Sequence, residues 1–281
     1  MNVTTLNEIP PWDWPEEAHD LLLRTLRDGE RDASDRPVAA HLAGNMVVID
    51  DQLAELLRGL ITDGGELAEV RAAAAIAVGP VLEEGDVDGF DDSEGVPISE
   101  KTFHAIQDAM REAYLDESNP KEVRRRMLEG AVRAPQDWLT EAVRVAYASD
   151  DPDWQLTAVF CMEYLNGFRG QILEALGSDN DDIHYHAVIA SGNWGLDEAW
   201  NHVAGLVDAP STDKPLLFAA IEAVTGIRPE EAEGLLGDLL DSDDEDIVDA
   251  TYDALAMAAA LAGLDSDEDE DEHLIHQNRS P

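Results

Sequence analysis

The sequence predicts an all-α protein, an α-α superhelix of about seven antiparallel helix pairs. Three observations carry this expectation. Apolar residues recur at helical spacing from Leu21 to Leu264, clusters of Gly, Pro, Asn or Asp cut the pattern into segments, and no strand-like alternation competes. Ala and Leu dominate the 44% hydrophobic content while β-branched runs are scarce, which also favours helix.

Taken in order, residues 1–13 read as an N-terminal arm whose Pro10, Pro11 and Trp12 cap the first repeat. A helix follows at 15–28, where Pro15 precedes Glu16 and Glu17, acids that suit the positive end of a helix dipole. Further helices read at 35–45, 51–61 and 67–82, and then an acidic insertion at 83–98. Helices resume at 99–115 and 120–133; in the second, Asn119 reads as the cap, Pro120 as the first helical residue and Glu122 as a capping-box partner. The series continues at 135–147, 152–165, 170–176, 182–191, 196–207, 214–225, 229–240 and 244–262, the helix at 229 opening on Pro229, Glu230 and Glu231. The repeat region therefore spans 14–264, and residues 265–281, DSDEDEDEHLIHQNRSP, are too charged to fold alone and read as a disordered acidic tail.

Every second helix opens with an apolar residue after a polar loop, followed by small or apolar residues three, four and seven or eight positions on. Anchoring on Val38, Val70, Val123, Leu156, Ile183, Leu216 and Ile247 gives separations of 32, 53, 33, 27, 33 and 31 residues, the long step containing the insertion. A short amphipathic helix pair cannot bury its apolar stripe alone, so each repeat closes the core of its neighbour.

Val70-Arg71 with the alanines after it and Gly79, Asn119-Pro120-Lys121-Glu122-Val123-Arg124 with Leu128 and Ala131, and Asp151-Pro152-Asp153-Trp154 with Leu156 resemble HEAT repeats. Their short form is similar to that of phycobilisome lyases and bacterial HEAT scaffold proteins. The resemblance implies a HEAT/armadillo-like solenoid. It also implies a protein-protein interaction scaffold or adaptor, without catalysis, that holds its partner on the concave face lined by the second helices. A phycobilisome-lyase-like enzyme subunit handling a tetrapyrrole is the alternative it suggests. The Val-Arg pair occurs only at Val70-Arg71 and Val123-Arg124; Ala39, Thr157, His184, Leu217 or Val248 takes the arginine's place elsewhere, a departure from the family's inter-repeat Asp-Arg ladder.

Charge narrows the partner. Asp and Glu total 62 against 18 Lys and Arg, a formal net charge of −44, so duplex nucleic acid is excluded and a basic protein fits. An acidic chaperone or nucleic-acid mimic for basic proteins shares that logic. Only three lysines, Lys101, Lys121 and Lys214, stand beside fifteen arginines, a bias that also matches adaptation to high salt, where self-repulsion is screened. Cys161 is the only cysteine and reads as a buried thiol between Phe160 and Met162. With no signal peptide and no apolar run long enough for a membrane span, the expectation is a cytoplasmic protein.

Among candidate sites, Arg124, Arg125, Arg126 and Arg133 form the one basic cluster, either salt-bridged to acids of adjacent repeats or, through Arg125, open to an acidic partner. Repeat position selects Arg125, Glu129, Tyr185, Asp249 and Asp253 as partner-binding residues, Tyr185 as the aromatic hot spot. Asp86, Asp88, Asp91, Asp92 and Glu94 have the oxygen ligands of a cation loop but not EF-hand spacing, so they read as a solvated acidic loop. The Asp-rich turns at 150–153, 179–182 and 241–246 serve either as caps on a salt-adapted surface or as an acidic strip. His184 and His186 lie on different helix faces and read as structural; His273 and His276 give the tail a chelating alternative. No phosphate loop, HExxH or GxSxG motif occurs, so no catalytic, cofactor or metal residue is expected.

Overall fold

The computed structural model describes residues 2–29, 35–46, 48–90 and 96–277, with side chains as far as Gly263 in the last stretch. Among the described residues helix is the only regular secondary structure, as predicted, and no helix is long and apolar enough to cross a membrane. The chain divides into two compact units, Met1–Thr157 and Ala158–Pro281.

The first unit contains α1 (Val3–Asn7), α2 (Ala18–Arg27), α3 (Asp35–Ala43), α4 (Asp51–Thr62), α5 (Ala68–Ala77), α6 (Gly79–Asp88), α7 (Glu100–Leu115), α8 (Lys121–Ala131) and α9 (Asp137–Tyr147), and α10 (Pro152–Cys161) crosses the division. Helices pair as α2/α3, α4/α5 and α7/α8; α2, α4 and α7 adjoin in one layer, and α3, α5 and α8 in the other. The second unit repeats the plan with α11 (Arg169–Ala175), α12 (Asp181–Asn193), α13 (Trp200–Asp208), α14 (Lys214–Ile227), α15 (Ala232–Leu236) and α16 (Glu245–Gln277). There the pairs are α11/α12, α13/α14 and α15/α16, with α12, α14 and α16 adjoining in turn. Each unit is thus a HEAT-like helical repeat.

Side-chain chemistry explains why consecutive second helices come so close. A methyl group added at Gly130 would stand 2.3 Å from the Ala75 carbonyl oxygen, one at Gly192 would meet the Ala223 Cα at 2.6 Å, and one at Gly226 would meet the Gly192 carbonyl oxygen at 2.2 Å. Glycine at these contacts lets backbone pack on backbone, and Leu57, Leu82, Met110 and Leu128 fill the space between layers.

Second helices begin at Asp35, Ala68, Lys121, Pro152, Asp181, Lys214 and Glu245, steps of 33, 53, 31, 29, 33 and 31 residues. The uneven step of 27 in the sequence reading came from anchoring on Leu156; Lys121 bridges Asp151 and Asp153, and Lys214 bridges Asp244 and Asp246 in the same way 93 residues on, which aligns Trp154, not Leu156, with Ile247. A second register shift restores a missing arginine. Arg36, Arg71 and Arg124 each donate to the carbonyl ten residues back, those of Leu26, Ile61 and Tyr114, at 3.0, 3.1 and 2.8 Å. Each thereby satisfies a carbonyl that the end of the preceding helix leaves open. Arg36 rather than Ala39 is therefore the first repeat's arginine. Arg36 and Arg71 then reach forward to Glu66 and Asn119, both at 2.7 Å, residues that stand five positions before the next arginine.

Four further details depart from the sequence reading. Residues 1–13 hold α1, whose Val3 and Leu6 are buried, whereas Trp12 is 80% exposed and caps nothing. Helix α6 occupies 79–88, so the first part of the 83–98 insertion is helical, with Asp86 and Asp88 on it. Asn119 does not cap α8: Pro120 holds that position, and the Asn119 amide donates to the Ala113 carbonyl at 2.8 Å. Of the acidic tail expected at 265–281, only the helical course of α16 to Gln277 is described, and 278–281 lie outside the described residues.

Candidate functional site

In the second unit, α14 and α16 enclose a groove of about 370 Å³. Its floor is Phe218 and Ile221 from α14 and Ala250, Ala254 and Met257 from α16, and Glu222 and Asp253 stand among them. Helical spacing accounts for the trough. Residues 250, 254 and 257 share one face of α16, and alanine at the first two leaves space opposite the Phe218 ring. Met257 is 56% exposed and supplies a large flexible apolar side chain at the surface of the trough. A second depression between α12 and α14, lined by Ile189, Asn193 and Gly226, shares Glu222 and Thr225 with the first. No lysine or arginine lines either one.

Tyr185 of α12 lies half-buried; burial first, then the negative fields of Glu163 and Glu222, push its phenol above the ordinary value. Tyr185, Glu222 and Asp253 thus come from three successive second helices. Of the residues chosen by repeat position, Asp253 lines the groove and Asp249, one turn earlier, is exposed beside it. Glu222 and the apolar floor went unread, although Phe218, Glu222 and Thr225 at helical spacing were a usable signal.

Arg125 and Glu129 belong to the first unit and are 6% and 5% exposed. The Arg125 guanidinium donates to Thr157 Oγ1 at 2.9 Å and to Glu122 at 3.1 Å, and Thr157 donates to Glu129 at 2.6 Å. Neither is placed to meet a partner directly, which corrects the expectation of an open Arg125. Arg124 donates to the Tyr114 carbonyl and lies over the Tyr114 and Trp154 rings; Arg126 pairs with Glu122 and Glu129, and Arg133 with Glu83. The basic cluster is engaged within its own unit.

The Asp-rich turns share a pattern, Ser-x-Asp/Asn-x-Asp, beginning at Ser149, Ser178 and Ser242. In each the serine hydroxyl accepts the N–H two residues on, and that residue's side chain accepts the next N–H but one, at 3.0 to 3.2 Å. The first and third turns hold the lysine bridges, which draw Asp151, Asp153 and Asp244 below the ordinary carboxylate value. These acids are spent on capping and on joining repeats.

Two histidine contacts escaped the sequence reading, because each partner lies on another element. His186 Nδ1 meets Glu163 Oε1 at 2.6 Å, and His184 Nε2 meets His202 Nε2 at 2.7 Å. Among the described residues no three metal-ligating side chains converge. Of the acidic-loop candidates, Asp91, Asp92 and Glu94 lie outside the described residues, and burial raises the Asp86 carboxyl above the ordinary value. Cys161 is buried, as predicted.

No family model matches this chain, and no curated protein does. Similar solved structures include YibA of Escherichia coli, 15% identical, covering 88% of this chain and 84% of that one with a TM-score of 0.44. Human deoxyhypusine hydroxylase in complex with glycerol is 15% identical, covering 92% and 88%, with a TM-score of 0.40. An engineered protein is 18% identical over 88% and 98%, with a TM-score of 0.35. The second corrects the expectation of a chain without catalysis, since that similar structure is an enzyme's. A HEAT-like helical repeat is as far as the likeness goes, and the narrower resemblance to phycobilisome lyases gains no support from it.

Proposed function

We propose that the chain binds a protein partner by holding a cationic amphipathic segment in the groove between α14 and α16. One observation carries this reading: an apolar floor with an exposed methionine, accompanied by Glu222 and Asp253 and by no cation. Covering the floor supplies affinity through removal of apolar surface from water. The acids then select the sign of the partner's flanking charges, and the chain's net charge of −44 speeds the encounter. A tetrapyrrole's carboxylates would meet like charge here. A general chaperone for basic proteins shares the sign but needs no apolar floor.

The test uses the full chain and three labelled helical peptides: one of alternating Leu and Lys faces, one with Glu in place of Lys, and one with Ser in place of Leu. Fluorescence anisotropy should show binding of the Leu/Lys peptide alone. Glu222→Lys combined with Asp253→Lys should weaken it about tenfold or more, equivalent to ~1.4 kcal/mol. Reversal of two exposed acids of the first unit, Asp108 and Glu117, should have a much smaller effect. Equal binding of the Leu/Lys and Ser/Lys peptides, or equal loss from both pairs of reversals, would leave only bulk charge attraction and overturn the assignment.

A further inference from the structure

We propose that a cavity in the first unit, where α7, α8, α9 and α10 meet, binds a small aromatic carboxylic acid in its ionised form, with Arg124 as the fork that holds the carboxylate. The site belongs to the other unit from the groove and does not depend on it.

The repeat pattern singles out this arginine. Arg36, Arg71 and Arg124 each close the helix end ten residues back, and Arg36 and Arg71 also give a terminal nitrogen to the residue five positions before the next arginine, Glu66 and Asn119, at 2.7 Å. The step of 31 residues from Lys121 to Pro152 carries the Asn119 position onto Asp150. Asp150 is exposed and makes no bond to Arg124. Among the described residues Arg124 has one hydrogen bond, from Nε to the Tyr114 carbonyl, and its two terminal nitrogens pair with no acceptor. Arg124 is thus a member of the series whose forward partner is not supplied by the chain.

It lines a cavity of about 180 Å³ together with Tyr114, Val145, Ala146, Ser149 and Trp154, the space of about six waters at ~30 Å³ each. No Asp or Glu lines it, an uncommon setting in a chain of net charge −44. The guanidinium carbon lies 5.4 Å from the Tyr114 ring centroid and 5.7 Å from that of Trp154, and the two rings meet edge to face at 86°. With Nε tied to a carbonyl and the plane held by two rings, the terminal N–H groups form a fixed fork that matches the two oxygens of a carboxylate. The Ser149 hydroxyl accepts the Asp151 N–H at 3.1 Å and keeps its own hydrogen to donate. Trp154, Val145 and Ala146 offer an apolar wall to the body of the ligand, and a flat ring suits the stacking face of Trp154. A phosphate would leave that wall uncovered and bring more negative charge to the chain.

The test is a titration of fluorobenzoate with the full chain, followed by fluorine NMR. Binding should be saturable, and fluorobenzamide, which has the same shape without the charge, should bind at least tenfold more weakly. Arg124→Lys keeps the charge without the fork and should weaken binding about tenfold. Because that change also touches a helix end, Val145 gives a second test: it lines the cavity and is 60% exposed, so its replacement leaves the core intact. Val145→Glu should weaken binding at least tenfold and Val145→Lys should tighten it, with melting curves like the parent's. Val87→Glu, at an exposed site on α6, should have little effect. Absence of saturable binding, equal binding of the amide, equal losses from the two glutamates, or displacement of fluorobenzoate by inorganic phosphate as readily as by benzoate would overturn the assignment.

Discussion

Arg125 carries a full charge and yet is 6% exposed, held between Glu122, Glu129 and Thr157. Three consecutive arginines on a helix point in three directions about 100° apart, and only the position of the next repeat decides which one turns inward. For that reason the sequence disclosed a basic cluster but not that its middle member is structural. Arg125→Glu should cost about 3–5 kcal/mol, since it sets a buried anion beside Glu129 and leaves the network without its cation. A denaturation midpoint equal to the parent's would refute that role. His184 and His202 show the same limit: spacing along one helix is readable, whereas a contact across eighteen residues depends on how two helices cross.

Helices themselves were the most legible level, because apolar periodicity, prolines and acidic starts all act within a few residues. Every helix read from 15 to 262 has a counterpart. Helix α6 was missed since its support is tertiary: a methyl group at Gly85 would meet the Phe103 ring of α7 at 2.8 Å, a contact with no local signal. Helix contacts also assign opposite effects to one chemical change. Gly226→Ala drives a methyl group onto the Gly192 carbonyl and should destabilise the protein by about 1–3 kcal/mol, the usual cost of overpacking. Gly205→Ala, in α13 with nothing within 4 Å, should stabilise it by about 0.5–1 kcal/mol through helix propensity. Thermal or chemical melts of the two variants should shift in opposite directions; a shared direction would show that α12 and α14 do not pack at this distance.

At the scale of the molecule, a net charge of −44 must be held together against its own repulsion. Screening relieves that repulsion, so the melting temperature should rise clearly from dilute buffer to molar potassium chloride, and a flat or falling trend would contradict the reading. The repeat length of about thirty residues was plain in the sequence because the apolar pattern recurs. The groove was only partly so: of its lining, Asp253 alone was chosen by repeat position, and the trough exists because Ala250 and Ala254 face Phe218 across two helices. Hydrogen exchange of the full chain with the Leu/Lys peptide bound tests the central claim most directly. Protection should rise in 214–227 and 245–263 and be absent with the Leu/Glu peptide. Protection confined to the acidic turns, or found only in the first unit, would contradict it.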